Sequence, residues 1–155
     1  MANKVFEILS VEDNEPDFDL LQNALSKIQD VSLNITHISN GQCALDYVYK
    51  KGEYEKCKTP DLIILDINLP KINGYEILKK IKNSKRYKRI PVIMFSTSTL
   101  EEDISKSYEA HANSYIIKSF DVKTLFEKVA TMGEYWLKTS EMPQKGNICV
   151  IKETK

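Results

Sequence analysis

The sequence predicts a doubly wound α/β domain, a five-stranded parallel sheet with helices on both faces, and three observations carry the prediction. Short apolar runs alternate five times with longer amphipathic segments along the 155 residues, the pattern of consecutive βα units. Two of the runs, Leu62-Ile63-Ile64-Leu65 and Pro91-Val92-Ile93-Met94-Phe95, are almost unbroken, as expected of strands covered on both faces. Polar residues stand directly after four of the runs, and right-handed crossovers bring those ends to one edge, where ligands of such folds bind.

Each element has its own signal. Val5 to Val11 reads as a strand ending at an acidic turn. From about Glu15 to Ile28, Phe18, Leu21, Ala24, Leu25 and Ile28 recur at helical spacing. Leu33 to Ile38 alternates imperfectly, so a weaker strand at a sheet edge is expected. Asn40-Gly41 opens a second helix carrying Ala44, Leu45, Val48 and Tyr49, and the charged, aperiodic stretch from Gly52 to Pro60 is a loop. The Leu62–Leu65 strand lies between Asp61 and Asp66. A turn from Pro70 to Gly74 leads to a third helix with Tyr75, Leu78 and Ile81 on one face. Pro91 is tolerated at the start of the next strand. A fourth helix covers Glu101 to His111, Ser114 to Ile117 forms a fifth strand, and Asp121 caps a final helix to about Leu137. The domain thus spans 1–138. The tail 139–155 is polar except for Ile148-Cys149-Val150-Ile151, and two readings stay open for it, a frayed end and a docked or dimer-forming segment.

Composition narrows the function. Apolar residues make up 42% and charged residues 28%, enough for a core that buries roughly 70% of the unfolded chain's surface. Lys plus Arg equals Asp plus Glu at 22 each, which argues against direct nucleic-acid binding or membrane attachment as the main activity. Cys43, Cys57 and Cys149 are scattered and form no Cys-x-x-Cys pair, consistent with reduced thiols. The N-terminus lacks a secretory pattern, and no apolar run approaches the ~20 residues of a spanning helix. A cytoplasmic protein is expected.

The chemistry lies in the strand-end residues. Glu12 and Asp13 follow the first strand and Asp66 the third, so three carboxylates crowd one rim if those strands are neighbours. Like charges ~4 Å apart repel by roughly 4 kcal/mol at an effective dielectric of 20. Such a cluster calls for a cation, and oxygen ligands favour Mg²⁺, with Asn68 able to add a backbone carbonyl. Ser96, with Thr97 beside it, offers a hydroxyl after the fourth strand, and Lys118 offers a point charge after the fifth. A carboxylate nucleophile, a metal site, a hydroxyl and an ammonium are the parts phosphoryl transfer needs.

At these residues the chain resembles the receiver domains of response regulators in two-component signalling. The matching stretches are Val11-Glu12-Asp13-Asn14, Leu65-Asp66-Ile67-Asn68-Leu69-Pro70 through Asn73-Gly74, Pro91 to Ser96, and Tyr115-Ile116-Ile117-Lys118. The resemblance implies the flavodoxin-like receiver fold, strand order 2-1-3-4-5. It implies that Asp66 accepts the phosphoryl group from a partner histidine kinase, and that Glu12, Asp13, Asp66 and the Asn68 carbonyl hold Mg²⁺. Ser96 and Lys118 would meet the phosphoryl oxygens, and Ser96 and Tyr115 would act as the switch. Such a protein is no enzyme beyond its own phosphorylation and dephosphorylation. Ser119 stands where the family usually has a proline preceded by a cis bond, which without proline costs about 3 kcal/mol. Thr97 replaces a smaller residue and narrows access.

No second domain follows in the sequence, so a fused DNA-binding effector is not expected. Glu134-Tyr135-Trp136-Leu137, Met142-Pro143 and Asn14-Glu15-Pro16-Asp17 look like the phytochrome-coupled single-domain regulators, which implies a phytochrome-type kinase. Tyr135 and Trp136 read plainly as helix packing; the sharper reading is a homodimer contact through the C-terminal face. Two other classes compete. A nucleotide- or flavin-binding enzyme would need a Gly- or Ser-rich loop where Glu12-Asp13-Asn14-Glu15 stands. A degenerate receiver acting only as an interaction module would typically have lost the acceptor or the metal pair.

Overall fold

The computed structural model describes residues 4–143. Five strands, β1 (Val5–Val11), β2 (Ser32–Ile38), β3 (Leu62–Leu65), β4 (Val92–Ser96) and β5 (Ser114–Ile117), form one sheet in the order β2-β1-β3-β4-β5, with every pairing parallel. Five helices connect or follow them: α1 (Glu15–Ser26), α2 (Gly41–Tyr49), α3 (Gly74–Asn83), α4 (Glu101–Glu109) and α5 (Val122–Glu134). This is the predicted doubly wound fold, and it has the predicted strand order.

The apolar pattern of each strand decides its place. β3 and β4 are buried along their whole length, as their unbroken runs require, and they occupy interior positions of the sheet. β2 and β5, mixed in character, lie at the edges. One core packs Leu9, Ile63, Leu65 and Met94 against Ile77, Leu78 and Ile81 of α3 and Ala44 and Val48 of α2. The opposite core packs Ile8, Ile64, Ile93 and Phe95 against Leu21 and Leu25 of α1 and Leu125 and Val129 of α5. Side-chain alternation along a single strand therefore feeds both layers.

Side-chain caps fix where most helices begin. Asn14, Asn40, Asn73 and Asp121 each accept a backbone N–H of the first turn of α1, α2, α3 and α5. α4 is the exception: Leu100 provides no such bond, and Ser107 is its one buried residue. Gly74 opens α3 against the turn after β3. A Cβ built there would lie 2.2 Å from the Asp66 carbonyl oxygen and 2.8 Å from Ile67 Cα, so only glycine lets the helix approach this closely.

Boundaries differ from the periodicity in small ways. The loop after α2 contains a 3₁₀ turn, Gly52–Tyr54. α1 stops at Ser26 and α4 at Glu109, with His111 in the left-handed region at φ 73°. α5 proper ends at Glu134, and the chain continues as a π turn over Tyr135–Thr139 that buries Leu137. Trp136 and Met142 pack against the α1–α5 core, while Tyr135 is exposed, edge-on to Trp136. Cys149 and the Ile148–Ile151 stretch of the tail lie outside the described residues. No described helix is long and apolar enough to cross a membrane.

Candidate functional site

Backbone hydrogen bonds at the strand ends assemble the rim. Asp66 N–H donates to the Val11 carbonyl at 3.0 Å, so the residue after β3 is tied to the end of β1. Lys118 N–H donates to the Ser96 carbonyl at 2.7 Å, tying the ends of β5 and β4. The parallel register thus aligns Glu12, Asp13, Asp66, Ser96 and Lys118 along one edge. Glu12, Asp66, Ser96 and Lys118 are buried; Asp13 is exposed.

Glu12, Asp13 and Asp66 each present a carboxylate oxygen, all within 4.8 Å of one another. At that distance each pair of ionised groups repels by about 3 kcal/mol at an effective dielectric of 20. Lys118 is the local compensation. Its Nζ lies 2.8 Å from Glu12 Oε1, 2.9 Å from Asp17 Oδ2 and 3.4 Å from Asp66 Oδ2. It also lies 5.1 Å from the centre of the buried Phe95 ring, a cation–π placement.

One ammonium does not balance four carboxylates. Burial, reinforced by the Asp66 charge and only partly offset by Lys118, pushes the Glu12 carboxyl up to about 8. Burial alone would lower the Lys118 pKa, but the Glu12 and Asp17 carboxylates outweigh it and keep the amine charged. Glu12 Oε1, although 2.8 Å from Nζ, receives no properly directed hydrogen bond. A buried carboxylate oxygen without a hydrogen bond, facing two further acids, fits a hard divalent cation with oxygen ligands. The cluster can therefore bind a divalent metal.

The remaining predicted residues flank this centre. Asn68 is exposed, and its N–H donates to Asp66 Oδ1 at 3.3 Å. Ser96 Oγ accepts the Ser98 N–H at 3.2 Å. Thr97 is exposed. Tyr115 is half-buried, with its hydroxyl donating to the Ser98 carbonyl at 2.9 Å. No peptide bond among the described residues is cis, so Lys118 joins Ser119 through a trans bond.

Two features escaped the sequence reading. Asp17 is a fourth acid at the rim, and its signal was an acidic side chain three residues after the Asn14 cap, at the start of α1. Ser98 and Asp103 link β4 to α4: Ser98 Oγ donates to Asp103 Oδ2, and Tyr75 Oη donates to the Asp103 carbonyl at 2.7 Å. Nothing in their spacing distinguishes them from ordinary loop and helix polar residues.

Known proteins are similar to this chain in sequence and fold. Residues 8–130 match the family described as response regulator receiver domain. The response regulator Rcp1 of Synechocystis sp. is 40% identical over 136 residues, covering 88% of this chain and 92% of that protein. The probable methanogenesis regulatory protein FilR2 of Methanothrix harundinacea is 36% identical over 142 residues, covering 92% and 90%. Among solved structures, the phosphorylated cyanobacterial phytochrome response regulator RcpA superposes with a TM-score of 0.87 at 43% identity, covering 92% of this chain and all of that one. The Mn²⁺-bound form of Rcp1 gives 0.84 at 41% identity, covering 90% and 99%.

Proposed function

This chain belongs to the response regulator receiver domain family, and on that premise we propose that a partner histidine kinase phosphorylates it on Asp66 in a Mg²⁺-dependent reaction that switches a protein-binding surface. The observation that carries the reading is the environment of the Asp66 carboxylate, with Lys118 Nζ 3.4 Å away on one side and the Glu12 and Asp13 oxygens within 4.8 Å. The similarity to RcpA and Rcp1 makes a phytochrome-type kinase the favoured partner. Beyond this self-modification no enzymatic activity is assigned, and a cytoplasmic location follows from such a partner.

Asp66, Glu12 and Asp13, with the Asn68 carbonyl, are the residues to hold the metal. When bound, Mg²⁺ supplies charge neutralisation at the carboxylates and at the phosphoryl oxygens. In the transfer itself, an Asp66 carboxylate oxygen attacks the phosphorus of phosphohistidine. The new O–P bond forms as the N–P bond breaks, and its electron pair leaves on the imidazole nitrogen, which takes a proton from solvent. Lys118 pairs with the transferred group, since its ammonium is kept charged and already reaches Asp66. Ser96 turns its hydroxyl to a phosphoryl oxygen and gives up the Ser98 N–H.

That exchange supports a route to the surface. Ser98 is bonded to Ser96 through its N–H, to Tyr115 through its carbonyl and to Asp103 of α4 through its hydroxyl. α4, without a side-chain cap and with one buried residue, is the helix with least to hold it, and elements that move are drawn from this end of the stability range. The face formed by α4 and β5 is the surface we expect to change.

Intact-mass measurement after incubation with acetyl phosphate tests the reading. One phosphoryl adduct is expected with Mg²⁺ and none with EDTA or in Asp66→Asn. Equal labelling of Asp66→Asn would move the acceptor elsewhere. No labelling of the wild type by acetyl phosphate or by a kinase would leave the interaction-module alternative.

A further inference from the structure

His37 is the next-to-last residue of β2, on an edge strand, and it has no role in the chemistry above. Its Nε2 lies 2.7 Å from the Glu12 backbone carbonyl. A carbonyl only accepts, so Nε2 carries the proton and donates. The imidazole lies flat on the Phe18 ring, with centroids 3.9 Å apart and planes 7° from parallel. Phe18 directly follows Asp17, the α1 carboxylate that binds Lys118. One side chain on β2 therefore touches both the peptide between Glu12 and Asp13 and the turn that carries Asp17.

The Glu12 peptide groups are held from both sides by β2. Glu12 N–H donates to the Ile38 carbonyl at 3.0 Å, and the Glu12 carbonyl accepts from His37. The first bond extends the strand ladder and forms whatever side chain stands at 37. The second exists only because of the imidazole, and it fixes the plane of the peptide that leads into Asp13. Asp13 needs such help: among the described residues its exposed carboxylate makes no hydrogen bond or ion pair. With no side-chain partner to hold it, the direction in which Asp13 leaves the chain is set by the backbone. Glu12, by contrast, is held at its carboxylate by Lys118 and by the Asn14 N–H.

We propose that His37 is a positioning residue for the metal site, its Nε2–H clamping the Glu12 carbonyl so that Asp13 is presented to the cation. Groups that orient ligands without touching the metal commonly change affinity by 10- to 100-fold when lost. A clamp acting through one peptide bond is expected at the lower end, about tenfold. The inference rests on the assignment of a divalent-metal site to Glu12, Asp13 and Asp66.

Calorimetric titration with MgCl₂ tests it on three proteins: the wild type, His37→Phe and His37→Gln. Phe keeps a ring on Phe18 and removes the donor; Gln carries an N–H that reaches to where Nε2 stands. The expected result is Mg²⁺ binding about tenfold weaker in His37→Phe, with Gln restoring affinity to near the wild-type value. Thermal midpoints in EDTA are measured alongside, and they should not follow this order, since Phe keeps the apolar contact. If His37→Phe does not fold, His37→Asn, whose shorter amide falls short of the carbonyl, replaces it beside His37→Gln. Equal affinity in the variant lacking the donor and the wild type, or an equal loss in His37→Gln, overturns the inference alone. A wild-type chain that takes up no Mg²⁺ overturns the metal assignment and the inference with it.

Discussion

Both edges of the sheet enclose a lysine, and the two are treated in opposite ways. Where the strands begin, Lys82 Nζ donates to the Lys88 carbonyl at 3.1 Å, the Ile90 carbonyl at 2.8 Å and Asn113 Oδ1 at 2.9 Å, one acceptor for each proton. At the same edge buried Asp61 accepts the Glu7 N–H at 2.8 Å and pairs with Lys4 at 3.7 Å. Where the strands end, Lys118 is shared among Glu12, Asp17 and Asp66, and a buried Glu12 oxygen goes without a hydrogen bond. Burial of charge is common to both edges, so it does not mark the functional one. The imbalance does: polar groups at the first edge are matched, whereas the second keeps a surplus of negative charge that only an added cation or proton can meet.

Substitutions should separate the two edges by the sign of their effect on stability. The largest effect is expected where separation fails. Gly74→Ala drives a Cβ into the Asp66 carbonyl and should cost about 3 kcal/mol, by analogy with overpacked cores, while also reducing labelling; urea melts and mass analysis read both. Lys82→Met takes the side-chain donor from the Lys88 and Ile90 carbonyls, while Asn113 Oδ1 keeps the Val92 N–H, and should cost about 2 kcal/mol, with Mg²⁺ affinity and labelling unchanged. A loss of metal affinity there would break the comparison. Asp66→Asn should do the reverse, abolishing labelling while leaving the metal-free protein as stable as the wild type or up to about 1 kcal/mol more stable, because a repelling charge is gone.

The metal-free rim should also show a pH dependence. The Glu12 carboxyl is pushed from 4.5 to about 8 by burial, so the folded metal-free protein holds a proton that the unfolded chain has released. Its contribution to stability is complete below 4.5 and is lost as pH rises through about 8. Melting in EDTA should fall over that window, by about 2–4 °C for each kcal/mol lost. Glu12→Gln should flatten the slope, and an unchanged slope would mean that the surplus charge sits on another group.

The sequence made the sheet legible because burial on two faces leaves no choice of residue: Leu62–Leu65 and Val92–Phe95 can only be interior strands. The rim was legible for a related reason, since Glu12, Asp66, Ser96 and Lys118 each stand directly after an apolar run, with Asp13 next to Glu12, and parallel topology collects such positions. Asp17 and His37 were not legible. Asp17 is indistinguishable in sequence from a first-turn helix charge, and the His37 contact depends on how far β2 runs alongside β1. The helix ends were hidden too, because the left-handed turn at His111 and the π turn after Glu134 leave no periodic trace.

The close approach at Gly74 gives the loop after β3 unequal compliance. Toward α3, the Asp66 carbonyl faces backbone with no slack, and displacement there would have to push atoms into one another. Toward β4 and α4, the neighbouring contacts are hydrogen bonds through Ser96, Ser98 and Asp103, which break and re-form at little cost. A strain imposed at Asp66 should therefore be absorbed on the α4 side, with α3 serving as the anvil. The direction of any motion would then be set by a missing methyl group as much as by the charges that start it.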